Sequence, residues 1–97
     1  MPLALLNLLT LNASMQSPEA PHTICAEIEE VLGRPVSEEQ VLQAFRELQA
    51  LGLVEEHGRG PHKPPNDLWF IATRAGRAAV ESDWDAVFPS NKGRRET

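Results

Sequence analysis

The chain has 97 residues, a formal net charge of −5 and a hydrophobic content of 41%. That suits one small folded domain and leaves no room for a deep multi-residue active site beside a second domain. With no strongly basic block, it is poorly suited to binding nucleic acid through bulk phosphate neutralisation, so any contact with DNA has to be local. The single cysteine, Cys25, permits neither an intramolecular disulfide nor a cysteine metal cluster and fits a reducing, cytoplasmic setting.

Leu3, Leu5, Leu6, Leu8, Leu9 and Leu11 form a dense apolar helix interrupted by Asn7 and Thr10 and ended by Asn12-Ala13-Ser14. It lacks the basic front of a secretory signal and the length of a membrane span, so it is expected to be a core helix. Being apolar on most sides, it is expected to pack on its own core and on a partner chain. Ser17-Pro18-Glu19-Ala20-Pro21 is a connector.

A second helix is expected from about Ala20 to Leu32, with Ile24, Ile28 and Val31/Leu32 at helical spacing and Glu27, Glu29 and Glu30 on the other side. Cys25 reads there as a small buried hydrophobe. Gly33 is placed to stop this helix in a left-handed cap, and Arg34-Pro35 completes the turn. The third helix carries the clearest start signal. Ser37 and Gln40 have capping-box spacing, Val36 and Val41 can staple the entry, and Val41, Leu42, Phe45, Leu48 and Leu51 trace an apolar stripe.

Gly52 ends that helix and Leu53-Val54 begins a strand. Residues 57–67, rich in Gly and Pro, form a loop too long for a tight hairpin. Leu68 to Ala72 is the return strand, with Phe70 facing the core and Trp69 more exposed. Thr73 is the expected N-cap of a last helix over Arg74 to Val87. On that helix Val80, Trp84, Val87 and Phe88 share one face, and Pro89 ends it. Residues 1–89 make one domain, and 90–97 form a polar tail expected to be disordered.

Helix, helix, helix, strand, strand, helix is the order of an α+β winged helix-turn-helix. Three stretches resemble the PadR-like winged-helix regulators, and more loosely the MarR-like ones. They are Ala26 to Ser37 (AEIEEVLGRPVS), Ala44 to Val54 (AFRELQALGLV) and Phe70 to Val80 (FIATRAGRAAV). In that family these are the second helix with its turn, the recognition helix, and the wing strand leading into the last helix. The resemblance implies a DNA-binding transcriptional regulator acting as a homodimer, with residues 37–51 as the recognition helix. The chain departs from the family pattern at Leu42, where a tyrosine is usual, and at Gln43, Arg46 and Glu47, where basic residues are frequent. A single helix stands in place of the long C-terminal dimerisation region of many members.

Under this reading double-stranded DNA is the partner. Gln40, Gln43 and Arg46 are candidate base readers, since Gln pairs with adenine and Arg with guanine. Arg34, Arg59 and Lys63 are candidate phosphate contacts, the last two on the wing beside His57 and His62. Glu38 and Glu39 suit the first turn of a helix but repel phosphate. Arg74 and Arg77 either contact phosphate or pair with Glu55 and Glu56. Leu5, Leu8, Leu9, Trp84, Val87 and Phe88 are the candidate homodimer interface. The near-neutral to acidic recognition surface supports an alternative: a winged-helix module that binds a protein and not DNA. His22, His57 and His62 lack the converging ligands of a metal site. No nucleophile–base pair or phosphate-cradling loop is visible, so neither a cofactor nor enzymatic activity is expected.

Overall fold

The computed structural model describes residues 3–59 and 68–87. Its elements run α1 (Leu5–Ala13), α2 (Pro21–Leu32), α3 (Glu38–Ala50), β1 (Val54–Arg59), β2 (Leu68–Ala72) and α4 (Arg74–Val87). This is the α+β winged helix expected from the order of the sequence signals. No helix among the described residues is long and apolar enough to cross a membrane.

The punctuation residues act where their chemistry places them. Gly33 closes α2 at φ 73°, with its N–H on the Glu29 carbonyl at 2.9 Å. Ser37 opens α3 in an extended conformation. Its Oγ accepts the Gln40 N–H at 3.1 Å, and the Gln40 side-chain oxygen accepts the Ser37 N–H at 2.9 Å. Val36 and Val41 are both buried, as the staple requires. Gly52 reverses the chain at φ 79°. Leu51, expected in the apolar stripe, is instead 62% exposed, because it caps the helix where the chain turns away.

α1 begins at Leu5, two residues later than the leucine pattern suggests. The Leu3 N–H donates to the Asp83 carboxylate at 2.9 Å and ties the start of the chain to α4 instead of entering a helix. β1 reaches Arg59, past the expected start of the loop at His57. Its register shifts between Glu56 and Gly58, so His57 is the extra residue of a bulge. The connector is also more ordered than its Ser/Pro composition suggests. Glu19 and Phe70 exchange both backbone hydrogen bonds, at 2.9 and 2.8 Å, and Ser14 accepts the Ala72 N–H at 3.0 Å. β2 is therefore partnered on both edges, which covers polar groups an edge strand would leave open.

The core lies where α1, α2 and α3 meet β2. Leu8, Leu11, Ile24, Ile28, Val41, Phe45, Leu48 and Phe70 are almost fully enclosed. Phe45 of α3 stacks on Phe70 of β2, with centroids 4.5 Å apart and planes at 16°. Trp69 is more exposed than Phe70, as expected; it is half-buried and meets His22 edge-on at 5.8 Å.

β2 passes into α4 through a tight node. The Thr73 N–H donates to the Leu53 carbonyl at 2.9 Å, and the Thr73 hydroxyl donates to the Gly52 carbonyl at 2.7 Å. The same hydroxyl accepts the Gly76 N–H at 3.1 Å, so Thr73 is the expected N-cap. A Cβ on Gly76 would overlap the Leu53 carbonyl oxygen, whereas one on Gly58 would meet open space. Gly76→Ala is therefore expected to cost about 1–3 kcal/mol, and Gly58→Ala to stay within about 0.5 kcal/mol. Urea denaturation midpoints of the two variants check this, and equal losses would contradict it.

Candidate nucleic-acid interface

The turn between α2 and α3 is fastened by side chains from α2. The Cys25 thiol donates to the Val36 carbonyl at 2.8 Å, and the Val36 N–H donates to the Glu29 carboxylate at 3.0 Å. Cys25 is thus half-buried and hydrogen-bonded, more than the small hydrophobe its neighbours suggested. Burial pushes its thiol pKa up, and the nearby Glu29 and Glu38 carboxylates push it further, so the protonated donor form is favoured. These bonds set the angle at which α3 leaves α2.

Val41, Ala44, Phe45 and Leu48 bury one face of α3. Glu38, Glu39, Gln40, Gln43, Arg46 and Glu47 stand on its exposed face. The three candidate readers differ in how freely they can act. Gln40 has its side-chain oxygen committed to the capping box, so two-point pairing with adenine would require breaking the cap. Gln43 donates its amide to Glu47 at 3.1 Å, which leaves its oxygen free of any described partner. Arg46 lies 3.5 Å from the Gln49 oxygen and 3.9 Å from the Glu56 carboxylate; these contacts are long and solvent-exposed. A pair of that kind is worth about 0–1 kcal/mol and yields readily to a better acceptor.

Glu47, singled out in the sequence only as a departure from the family pattern, has a structural role as well. Its other carboxylate oxygen accepts the Asn7 side-chain amide at 2.9 Å, linking α1 to the outer face of α3. The Asn7 hydrogen bond, and then that of Gln43, hold its pKa below the usual carboxylate range. The available signal was Asn7 itself, a polar residue inside a leucine run.

Arg34 is exposed and shares a shallow surface hollow with Glu29, Glu30 and Pro35. Arg59 is the last residue of β1, paired with Leu68 in the register. Lys63 and His62 lie outside the described residues, as do Phe88, Arg94 and Arg95. Arg74 and Arg77 are exposed at the start of α4, and Glu56 pairs with Arg46 and not with either of them. Among the candidate interface leucines, Leu8 and Leu9 are taken into the chain's own core, whereas Leu5 is 41% exposed. Trp84 is half-buried against that core, and Val87 ends α4.

The Glu47 contacts make a pH prediction. Because its folded pKa is lowered, its contribution to stability is present above the ordinary carboxylate range and is lost as pH falls through the depressed value. In the Asn7→Ala variant the Glu47 carboxyl is expected to titrate higher, by side-chain NMR, than in the parent. An unchanged titration would contradict the α1–α3 contact.

No protein-family model matches the chain, and no curated protein sequence matches it. Solved structures do match. Bacillus subtilis PadR in complex with operator DNA superposes with a TM-score of 0.68 at 14% identity, over 84% of this chain and 47% of that one. The chain thus spans about half the length of that protein. The complex structure of hsRosR gives a TM-score of 0.72 at 24% identity, covering 97% of this chain and 83% of that one. A PadR family transcription regulator from Clostridium difficile gives 0.70 at 11% identity, covering 96% and 97%. The likeness is in the path of the backbone at low sequence identity, and it shows that the chain has the PadR-like winged-helix fold.

Proposed function

We propose that this chain is a small DNA-binding transcriptional regulator that acts as a homodimer and enters the major groove with α3. The observation that carries the reading is its likeness to PadR in complex with operator DNA, together with an α3 whose outward face is free of the core. Fold alone does not fix function, so the assignment of roles rests on the side chains. Arg46, held by long contacts, is the principal base reader, and Gln43, oriented by Glu47, is the second. Gln40 serves mainly as a cap. Arg34, Arg59 and Lys63 are assigned to phosphates. The dimer uses the α1–α4 side, where Leu5 is exposed and Trp84 is half-buried.

A second reading, docking of a basic protein segment on α3, is favoured by one observation. Glu47 is held anionic beside Gln43, on a face that also exposes Glu38 and Glu39.

Fluorescence anisotropy with duplexes from the gene's own upstream region, at low and at physiological salt, separates the two. The DNA reading expects saturable binding that weakens with salt and that Arg46→Glu weakens by about tenfold or more. No binding at low salt would overturn it and favour the protein partner. Light scattering is expected to give the mass of two chains, and Leu5→Glu is expected to shift it towards one. A parent protein that stays monomeric at high concentration would contradict the dimer.

A further inference from the structure

We infer that Gln43 and Glu47 together form an acceptor site on α3 that selects a base bearing an exocyclic amino group, adenine or cytosine, against guanine and thymine on the strand it faces. The inference rests on the assignment of α3 to the major groove and names the chemistry read there. The Gln43 amide nitrogen donates to one Glu47 carboxylate oxygen at 3.1 Å, and the Asn7 amide nitrogen donates to the other at 2.9 Å. Turning the Gln43 amide over would set its oxygen against a carboxylate, so the charge of Glu47 fixes which end of the amide points away. That end is the oxygen, a hydrogen-bond acceptor with no partner among the described residues, on a side chain that is exposed.

The charge along this row of the helix has one sign. Glu39, Gln43 and Glu47 are all exposed and follow one another at four-residue spacing, so a carboxylate lies one turn to either side of the Gln43 amide. The bonds from Asn7 and then Gln43 hold the Glu47 pKa below the usual carboxylate range, which keeps it ionised at neutral pH. Arg46, the cation of this face, directs its contacts to Gln49 and Glu56 and not to this row. In the major groove guanine presents N7 and O6 and thymine presents O4, all of them acceptors, whereas adenine and cytosine each present an amino group. A keto oxygen set against the Gln43 oxygen meets another acceptor, with anions on both sides. An amino group meets an acceptor backed by negative charge. Asn7 is a positioning residue: from α1 it holds the far oxygen of Glu47 and acts on the base only through it.

The test is selection of binding sites by the full chain from a pool of randomised duplexes, with sequencing of the enriched DNA, for the parent, Gln43→Ala and Glu47→Gln. The parent is expected to enrich a site with one position restricted to adenine or cytosine on one strand. Gln43→Ala is expected to lose that restriction and keep the others, and Glu47→Gln to admit guanine or thymine there, because an amide can donate where the carboxylate cannot. Neither a fall in stability nor a uniform loss of affinity would change the preference at a single position. A second arm alters only the DNA. Each adenine or cytosine of the enriched site is replaced in turn by purine or 2-pyrimidinone, which removes the amino group alone, and binding is followed by fluorescence anisotropy. At the Gln43 position the parent is expected to bind about fivefold or more weaker without the amino group, and Gln43→Ala equally well with and without it. An enriched site that requires guanine or thymine at the position lost in Gln43→Ala, or in which no amino group matters to the parent, would overturn this inference and leave DNA binding standing. No change of preference in Glu47→Gln would remove Glu47 from the site. Failure of the parent to enrich any sequence at low salt would overturn the DNA reading itself, and this inference with it.

Discussion

The stack of Phe45 on Phe70 joins the two halves of this fold. It fastens the middle of α3 to the middle of β2, and both rings are fully buried. Large aromatic side chains in such positions typically account for about 3–5 kcal/mol each when truncated, a substantial share of a small domain's stability. The position of α3 relative to the wing therefore depends on this contact more than on any surface bond. The other fastenings act around it. The Cys25 and Glu29 bonds fix the turn before α3, the Ser37–Gln40 box fixes its first residue, and the Thr73–Leu53 node fixes the strand pair behind it.

A helix held this rigidly can present side chains in a defined array, and their chemistry is mixed. Glu47 organises the array by accepting from Asn7 on one side and Gln43 on the other. Its charge is thereby stabilised next to the groups assigned to read bases. An anion in that position opposes the general attraction of phosphate and favours contacts in which Gln43 and Arg46 find specific partners. Under the proposed DNA reading, this predicts weak non-specific binding relative to specific binding, because the sequence-independent term scales with the phosphates neutralised.

The fold was legible in the sequence because its boundaries are set by local chemistry. Gly33, Ser37 with Gln40, Gly52 and Thr73 each act within a few residues, and each ends or starts an element where expected. Phe70 was placed in the core by strand alternation, and β2 alternates as expected. What escaped the sequence was non-local. The Glu19–Phe70 bridge spans residues whose composition signals only a turn. The bulge at His57 depends on the register of the partner strand, and the departure of Leu3 from α1 depends on Asp83 far along the chain. In the candidate site the outward residues of α3 were identified, but their pairing was not. Nothing in the spacing of Asn7 and Glu47 shows that α1 reaches the outer face of α3. Likewise Leu8 and Leu9 look the same as Leu5 in a leucine-rich helix, and packing alone separates the buried pair from the exposed residue.

The most direct test of the central claim is a map of backbone amide shifts on the isotope-labelled protein as an upstream duplex is added. The account predicts that perturbations concentrate on residues 37–47 of α3 and its preceding turn, with the indole of Trp84 little affected. Perturbations confined to α1 and α4, or none at a saturating duplex concentration in low salt, would contradict the assignment of α3 as the DNA-reading element.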